Sequence, residues 1–264
     1  MEVSGRLLKM KGSSDNVVQY HFVIGEHRIP FNENLGKEIT LEFNGEINCI
    51  ICGRKTSKSF FQGMCYPCFK NAPQAEDCVL RPELCKAHEG VARDMDYAKE
   101  NCLMEHFVYL ADTGDIKVGV TRKSQIPTRW IDQGAVRAVQ VAKTPNRYLA
   151  GMIEVDLKNK LSDKTNWRKM LSEQIENNRI SEVRSEIVQY LAKDYCQYTM
   201  EVATIESFHY PVLQYPSKIK SISFDKTPLI NGVLSGIKGQ YLIFDNGNVL
   251  NIRKHGGYGV TLRI

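Results

Sequence analysis

At 264 residues the chain is long enough to bury a core, and its 42% hydrophobic and 25% charged residues exclude a disordered polymer. No run approaches eighteen apolar residues, and the opening Met-Glu-Val-Ser-Gly-Arg lacks the apolar stretch of a signal peptide. A cytoplasmic protein without membrane association is therefore expected. The formal charge of +5 is too small to define a partner, yet residues 111–171 hold 12 Lys/Arg against 6 Asp/Glu, a surplus as large as that of the whole chain. Such a local excess suits a polyanionic partner, and a solvated helix face would give the same count.

Residues 1–47 alternate like strands, in Val-Val-Gln-Tyr-His-Phe-Val-Ile-Gly and Glu-Ile-Thr-Leu-Glu-Phe-Asn-Gly-Glu-Ile, with a turn at Asn-Glu-Asn-Leu-Gly-Lys between them. They predict an N-terminal antiparallel β unit. Residues 48–105 change character, holding seven of the eight cysteines and few long apolar runs, so something other than a hydrophobic core must hold them. Cys49-x2-Cys52 and Cys65-x2-Cys68, twelve residues apart, supply four thiolates that can converge on one zinc ion, and Gly53 permits the tight turn of a knuckle. A redox pair would need no second matching pair, and a cytosolic setting disfavours structural disulfides. Cys78, Cys85, His88 and Cys102 form a second candidate zinc set, with His106 a competitor for the fourth place. The alternative for that set is that Cys102 is a small buried residue ending the helix Val-Ala-Arg-Asp-Met-Asp-Tyr-Ala-Lys-Glu-Asn. Cys196 stands alone and is expected in the core. Both sets are saturated by protein ligands, which marks them as structural rather than catalytic.

Residues 106–200 read as strand, turn, strand, a short helix with Pro127 in its first turn, a third strand at Ala-Val-Gln-Val-Ala-Lys, then an amphipathic helix with Asn146 as N-cap. Leu149, Ile153, Leu157 and Leu161 space its apolar stripe, and a further helix is expected over about 170–193 with Ile175, Ile187, Val188 and Leu191. Within the second strand Gly119 is out of place, because a strand glycine packs nothing and marks a bulge or a close approach by backbone or ligand. Residues 201–264 return to β structure, with Asp-Asn-Gly-Asn a strong hairpin signal. This C-terminal β unit is expected to cap the central domain, the alternative being a small nucleic-acid-binding barrel. Whether the two terminal β units pair is left open.

Phe107-Val108-Tyr109, Lys117-Val118-Gly119-Val120-Thr121, a following helix with Arg129 and a later helix with Glu154 together resemble the GIY-YIG nuclease superfamily. The resemblance implies a central α/β domain within an α+β protein. It also implies a catalytic set of Tyr109, Lys117, Gly119, Arg129 and Glu154, although Lys117 stands where the second motif usually has tyrosine. In such a site Tyr109 would take part in proton transfer, Arg129 would clamp phosphate bidentately, and Glu154 would hold Mg2+ or Mn2+. Arg122 and Lys123 would add positive field. Gln133 falls where the superfamily often shows His or Tyr, and Asn166 corresponds loosely to a late asparagine. Trp130, Trp167 and Arg168 offer flat faces for stacking a base, with core packing the alternative for the tryptophans.

Over nearly its full length the chain also resembles the uncharacterised bacterial family called domain of unknown function 2797, through its knuckle pair, Cys-Lys-Ala-His-Glu-Gly-Val-Ala-Arg-Asp-Met, Pro-Thr-Arg-Trp-Ile-Asp-Gln-Gly-Ala and the terminal Gly-Ile-Lys-Gly-Gln-Tyr-Leu-Ile-Phe stretch. That family implies no activity. The expected function is a zinc-containing nucleic-acid-binding protein, DNA or RNA unresolved. Two forms stand: a divalent-metal-dependent endonuclease, or a non-catalytic adaptor that holds phosphate in the same cradle.

Overall fold

The computed structural model describes residues 1–172, 179–191 and 193–264. The chain divides into two compact units, one made of Met1–Lys70 and His209–Ile264 with a short stretch from Leu171, the other of Asn71–Met170 and the chain ending at Phe208. Composition groups 48–105 as one Cys-rich segment. The fold instead divides that span: Cys49 to Cys68 belong to the first unit and Cys78 to Cys102 to the second.

The first unit begins with β1 (Glu2–Arg6), β2 (Lys11–Ser13), β3 (Gln19–Ile24), β4 (His27–Pro30), β5 (Glu38–Asn48) and β6 (Lys55–Thr56). β2, β3 and β4 form a three-stranded antiparallel sheet. Its core is aromatic, with Phe22 stacked on Phe31 at 4.8 Å between ring centroids. The turn expected at Asn-Glu-Asn-Leu-Gly-Lys is a 3-10 turn over Asn32–Asn34, with Gly36 at φ +77°. α1 (Tyr66–Asn71) starts directly after Cys65 and carries Cys68 in its first turn.

In the second unit, α2 (Met95–Asn101) is capped by Asp94, whose carboxylate accepts from the Tyr97 N–H at 2.9 Å. Then come β7 (His106–Asp112), β8 (Ile116–Arg122), α3 (Thr128–Asp132), β9 (Arg137–Thr144), α4 (Arg147–Leu157), α5 (Trp167–Met170), α6 (Ile180–Tyr190) and β10 (Glu206–Ser207). The strands form one antiparallel sheet in the order β10-β9-β7-β8. β7 lies inside it with every residue buried, which explains its unbroken apolar run at Phe-Val-Tyr-Leu-Ala. Val108, Leu110, Val118, Val139 and Val141 pack with Ala150, Ile153 and Leu157 of α4 and Ile180 and Ile187 of α6. Each large aliphatic side chain so buried contributes roughly 1.5–3 kcal/mol.

α4 starts where its cap predicts: the Asn146 Oδ1 accepts from the Leu149 N–H at 2.9 Å. The buried stripe is rotated by one residue at its start, Ala150 taking the place expected of Leu149, while Leu161 packs on the core from beyond the helix end. The later helix is shorter than expected, and Ile175 lies outside the described residues.

The chain then returns to the first unit as β11 (Lys220–Ile222), β12 (Leu229–Lys238), β13 (Tyr241–Phe244), β14 (Asn248–Asn251) and β15 (Tyr258–Arg263). One large sheet runs β1-β15-β5-β12-β13-β14-β11, with β6 added to β5. The two terminal β segments therefore pair, Glu2 opposite Arg263, and the Met1 amino group reaches the Ile264 carbonyl at 2.8 Å. The Asp-Asn-Gly-Asn turn has its positive φ at Gly247 alone (+79°), with the Gly247 N–H bonded to the Phe244 carbonyl. It is a type I turn closed by glycine, the usual three-residue hairpin. The class is mixed α+β, and among the described residues no helix is long and apolar enough to cross a membrane.

Candidate functional site

The first cysteine set is built from two turns. The Cys49 carbonyl accepts from the Gly53 N–H and the Cys49 N–H donates to the Arg54 carbonyl, both at 2.9 Å, with Gly53 in the left-handed region at φ +73°. The Ile51 N–H points at the Cys49 Sγ at 3.4 Å. The second pair opens α1, where the Phe69 N–H donates to the Cys65 carbonyl. The Sγ atoms of Cys49, Cys52, Cys65 and Cys68 all lie within 4.8 Å of one another, Cys52 and Cys65 at 3.7 Å. Four sulfurs at about 2.3 Å from a central zinc stand ~3.8 Å apart in a tetrahedron, so this set fits the ion. Burial acts to raise the Cys49 thiol, but backbone N–H groups of Cys52, Cys65 and Ile51 outweigh it and hold it down to about 6.

The second set comprises the buried Cys78, Cys85 and Cys102, again within 4.8 Å of one another. Arg147 braces it: its Nη1 lies 3.3 Å from the Cys78 carbonyl and 3.8 Å from the Cys78 Sγ, and its Nη2 donates to the Asn101 carbonyl at 3.0 Å. Hydrogen bonds from Cys102 and Cys78 hold the Cys85 thiol down to about 3, while contacts with Cys78 and Cys85 push Cys102 up. His88 does not join this cluster. Its partly buried ring stacks on Tyr148 at 4.3 Å, and its Nε2 lies 3.7 Å from Glu89. His106 is not a member either: it is buried, its Nδ1 lies 2.7 Å from the Met104 carbonyl, and burial pushes it down to about 4. Cys196 is exposed rather than in the core.

The β7–β8 hairpin places Tyr109 opposite Gly119. A Cβ at 119 would lie 2.6 Å from the Tyr109 hydroxyl oxygen, so the glycine exists to admit that tyrosine. The close approach expected at Gly119 is thus made by a side chain of the neighbouring strand. Gln133, at the end of α3, donates from Nε2 to the Tyr109 hydroxyl at 2.6 Å and to the Arg129 carbonyl at 2.8 Å. The half-buried Arg129 stands close enough to Tyr109 for that group, together with Asp132 and Glu154, to favour its charged form. Lys117 is buried, donates from Nζ to the Asp163 carbonyl at 3.1 Å, and is pushed down to about 8 by burial and then by the Arg129 charge. The Asp163 backbone is set there because the Val118 N–H donates to the Ser162 carbonyl at 2.9 Å.

Glu154 is buried on α4, and burial pushes its carboxyl up against the opposing effect of Lys158. Lys158 bridges Glu154 at 3.3 Å and Asp163 at 3.1 Å. Tyr109, Lys117, Arg129 and Glu154 therefore share one neighbourhood with Gln133, Lys158 and Asp163. Sequence reasoning missed Lys158 and Asp163. The four-residue spacing of Glu154 and Lys158 on a helix was a signal for the first, and nothing local signalled the second.

The stacking residues fare differently. Trp130 is 1% exposed, edge-on to Tyr109 at 5.9 Å and near Phe208, so it is core and offers no face to a base. Trp167 is half-buried under the Arg168 guanidinium at 4.2 Å. Asn166 opens α5 by accepting from the Arg168 and Lys169 N–H groups at 3.2 and 3.4 Å. Lys123 shares Glu105 with Lys143, which reduces its contribution to any field, and Arg122 is partly buried at the end of β8.

Comparison with curated proteins and with solved structures finds no match. A family model described as Protein of unknown function (DUF2797) matches residues 36–260. That span takes in both cysteine clusters and the whole of the Tyr109 neighbourhood, and the chain belongs to this family.

Proposed function

We propose that the protein is a zinc-containing nucleic-acid-binding protein whose central GIY-YIG-like domain holds a backbone phosphate. The observation that carries this reading is the convergence of the buried Lys117 and the half-buried Arg129 beside the Tyr109 hydroxyl. Cations held in low dielectric gain most from a doubly hydrogen-bonded anion, and phosphate suits the guanidinium fork. The order of hairpin, helix, strand and helix carrying Tyr109, Lys117, Gly119, Arg129 and Glu154 supports the superfamily likeness, and the basic surplus of 111–171 supports a polyanion. The four-cysteine cluster would hold zinc as a structural brace in place of an apolar core.

A divalent cation fits the cradle less well than phosphate does. Glu154 is already ion-paired with Lys158, and Lys117 and Arg129 bring further positive charge. Endonuclease action with Mg2+ or Mn2+ is the second reading, favoured by the position of Glu154 in the motif order. The test is titration of labelled single-stranded, duplex and structured RNA and DNA on zinc-replete protein, with and without Mg2+, reading binding and cleavage together. Expected are an affinity that falls with salt, a roughly tenfold or greater loss in Arg129→Ala, for one charge-assisted contact, and little change in Glu154→Gln. Mg2+-dependent cleavage abolished in Glu154→Gln would move the protein to the second reading. Absence of any salt-sensitive affinity would overturn both.

A further inference from the structure

The N-terminal end of α4 is tied to the second cysteine cluster by main chain and side chain alike. The Arg147 N–H donates to the Cys102 carbonyl at 2.9 Å, and the Arg147 guanidinium reaches the Cys78 carbonyl, the Cys78 Sγ and the Asn101 carbonyl. Tyr148 packs against the same three cysteines. One turn further on, Gly151 lies directly on the Pro82 and Glu83 backbone, inside the stretch that joins Cys78 to Cys85, at a distance no side chain would permit.

Arg147, Gly151, Glu154 and Lys158 follow at spacings of four, three and four, which sets them along one face of α4 and its C-terminal end. The adjoining stripe of Ala150, Ile153 and Leu157 packs into the core. The helix is therefore held along two lines, one apolar and one running from the cysteines to the phosphate cradle. At the cradle end Lys158 bridges Glu154 and Asp163, and the Asp163 carbonyl accepts from the Lys117 Nζ at 3.1 Å. Glu83 stands near enough to Glu154 to join burial and Asp163 in pushing that carboxyl up.

The Sγ atoms of Cys78, Cys85 and Cys102 lie within 4.8 Å of one another. A soft divalent ion such as zinc, about 2.3 Å from each, would hold them ~3.8 Å apart. Occupancy would thus fix the three segments on which α4 begins. We infer that Cys78, Cys85 and Cys102 form a metal-responsive brace for α4, in which a thiolate-bound divalent ion orders the helix and thereby sets the Glu154, Lys158 and Asp163 end of the cradle. The consequence for ligand affinity rests on the phosphate-cradle reading given above, whereas the ordering of α4 does not. Linkage makes the coupling reciprocal: the factor by which metal tightens nucleic acid is the factor by which nucleic acid tightens metal.

The experiment uses full-length protein substituted with cadmium, where cadmium NMR gives each cysteine cluster its own resonance and reads occupancy of the second directly. Filling the second cluster is expected to slow amide exchange across 147–157 by at least about fivefold relative to β9, a comparison that removes stabilisation of the unit as a whole. Binding of a labelled RNA or DNA oligonucleotide is expected to tighten by about fivefold or more, the lower end of the usual range for coupled sites, with an equal gain in cadmium affinity at saturating oligonucleotide. Arg147→Met keeps all three sulfurs and an aliphatic stem, so it is expected to retain the second resonance and lose most of the coupling. Absence of a second resonance in the parent, exchange in α4 that ignores its appearance, or coupling in Arg147→Met equal to the parent's would each overturn the inference. Slowed exchange in a protein with no affinity for any nucleic acid would uphold the brace and overturn the phosphate-cradle reading instead.

Discussion

A methyl group at position 119 would stand 2.6 Å from the Tyr109 hydroxyl oxygen and 2.7 Å from its ring carbon. Because Tyr109 is fully buried and its hydroxyl is tied to Gln133, the ring cannot yield without breaking that bond. Gly119→Ala should therefore cost about 1–3 kcal/mol, as overpacking does, and weaken nucleic-acid binding by displacing the group beside Arg129. Thermal unfolding followed by tryptophan emission checks the first part, since Trp130 meets Tyr109 edge-on. An unchanged melting temperature would refute the packing role.

Lys117 makes a sharper prediction. Its ordinary value of 10.5 falls to about 8 in the fold. Between these values the unfolded chain binds the proton and the folded chain does not, so stability rises with pH across that window, and the full penalty applies below about 8. The difference corresponds to roughly 3 kcal/mol at neutral pH. Lys117→Met should accordingly be more stable than the parent near pH 7, lose that advantage as pH approaches 10.5, and bind nucleic acid poorly. Urea unfolding at pH 7 and pH 10 measures it, and parallel profiles for the two proteins would sink the assignment.

At the scale of elements, α4 is joined to the second cysteine cluster through a glycine. A Cβ at Gly151 would lie 2.2 Å from the Glu83 nitrogen and 2.4 Å from the Pro82 carbonyl carbon, both in the 3-10 turn Pro82–Leu84 between Cys78 and Cys85. Backbone cannot be displaced as cheaply as a side chain tip, so Gly151→Ala must push the turn away and spread the three sulfurs. Metal held there should be released to chelator before metal held by Cys49, Cys52, Cys65 and Cys68, giving a two-phase release in the variant. Single-phase release identical to the parent would show that the turn and the cluster move independently.

This junction also shows what sequence could and could not reveal. The start of α4 and the hairpin at Gly247 were legible because each is fixed by residues a few positions apart. The partner of Gly151 was not, since nothing in Pro-Glu-Leu announces a helix lying on it. Trp130 misled for a related reason: a tryptophan beside an arginine reads alike whether its face is wet or packed. His88 sits at ligand spacing after Cys85, but spacing alone does not turn an imidazole, and here the ring lies on Tyr148.

At the scale of the molecule, the chain leaves the first unit near residue 70, builds the second, and returns near residue 209. The pairing of β1 with β15 and of β15 with β5 closes a contact across nearly the full sequence, which no local pattern encodes. Because β15 lies between β1 and β5, deleting 258–263 removes the buried Tyr258, Val260 and Leu262 and unpairs an edge on both neighbours. Three such side chains represent on the order of 5–9 kcal/mol of burial, comparable with the whole stability of a domain. The first unit should then fail to fold. The second retains all of its strands, and both tryptophans, Trp130 and Trp167, belong to it. The truncated protein should consequently keep native tryptophan emission and slow amide exchange in β7–β9 while β1, β5 and β12 exchange rapidly. Emission shifting to that of unfolded protein would instead mean that the second unit cannot stand without the first, and that the chain folds as one cooperative whole.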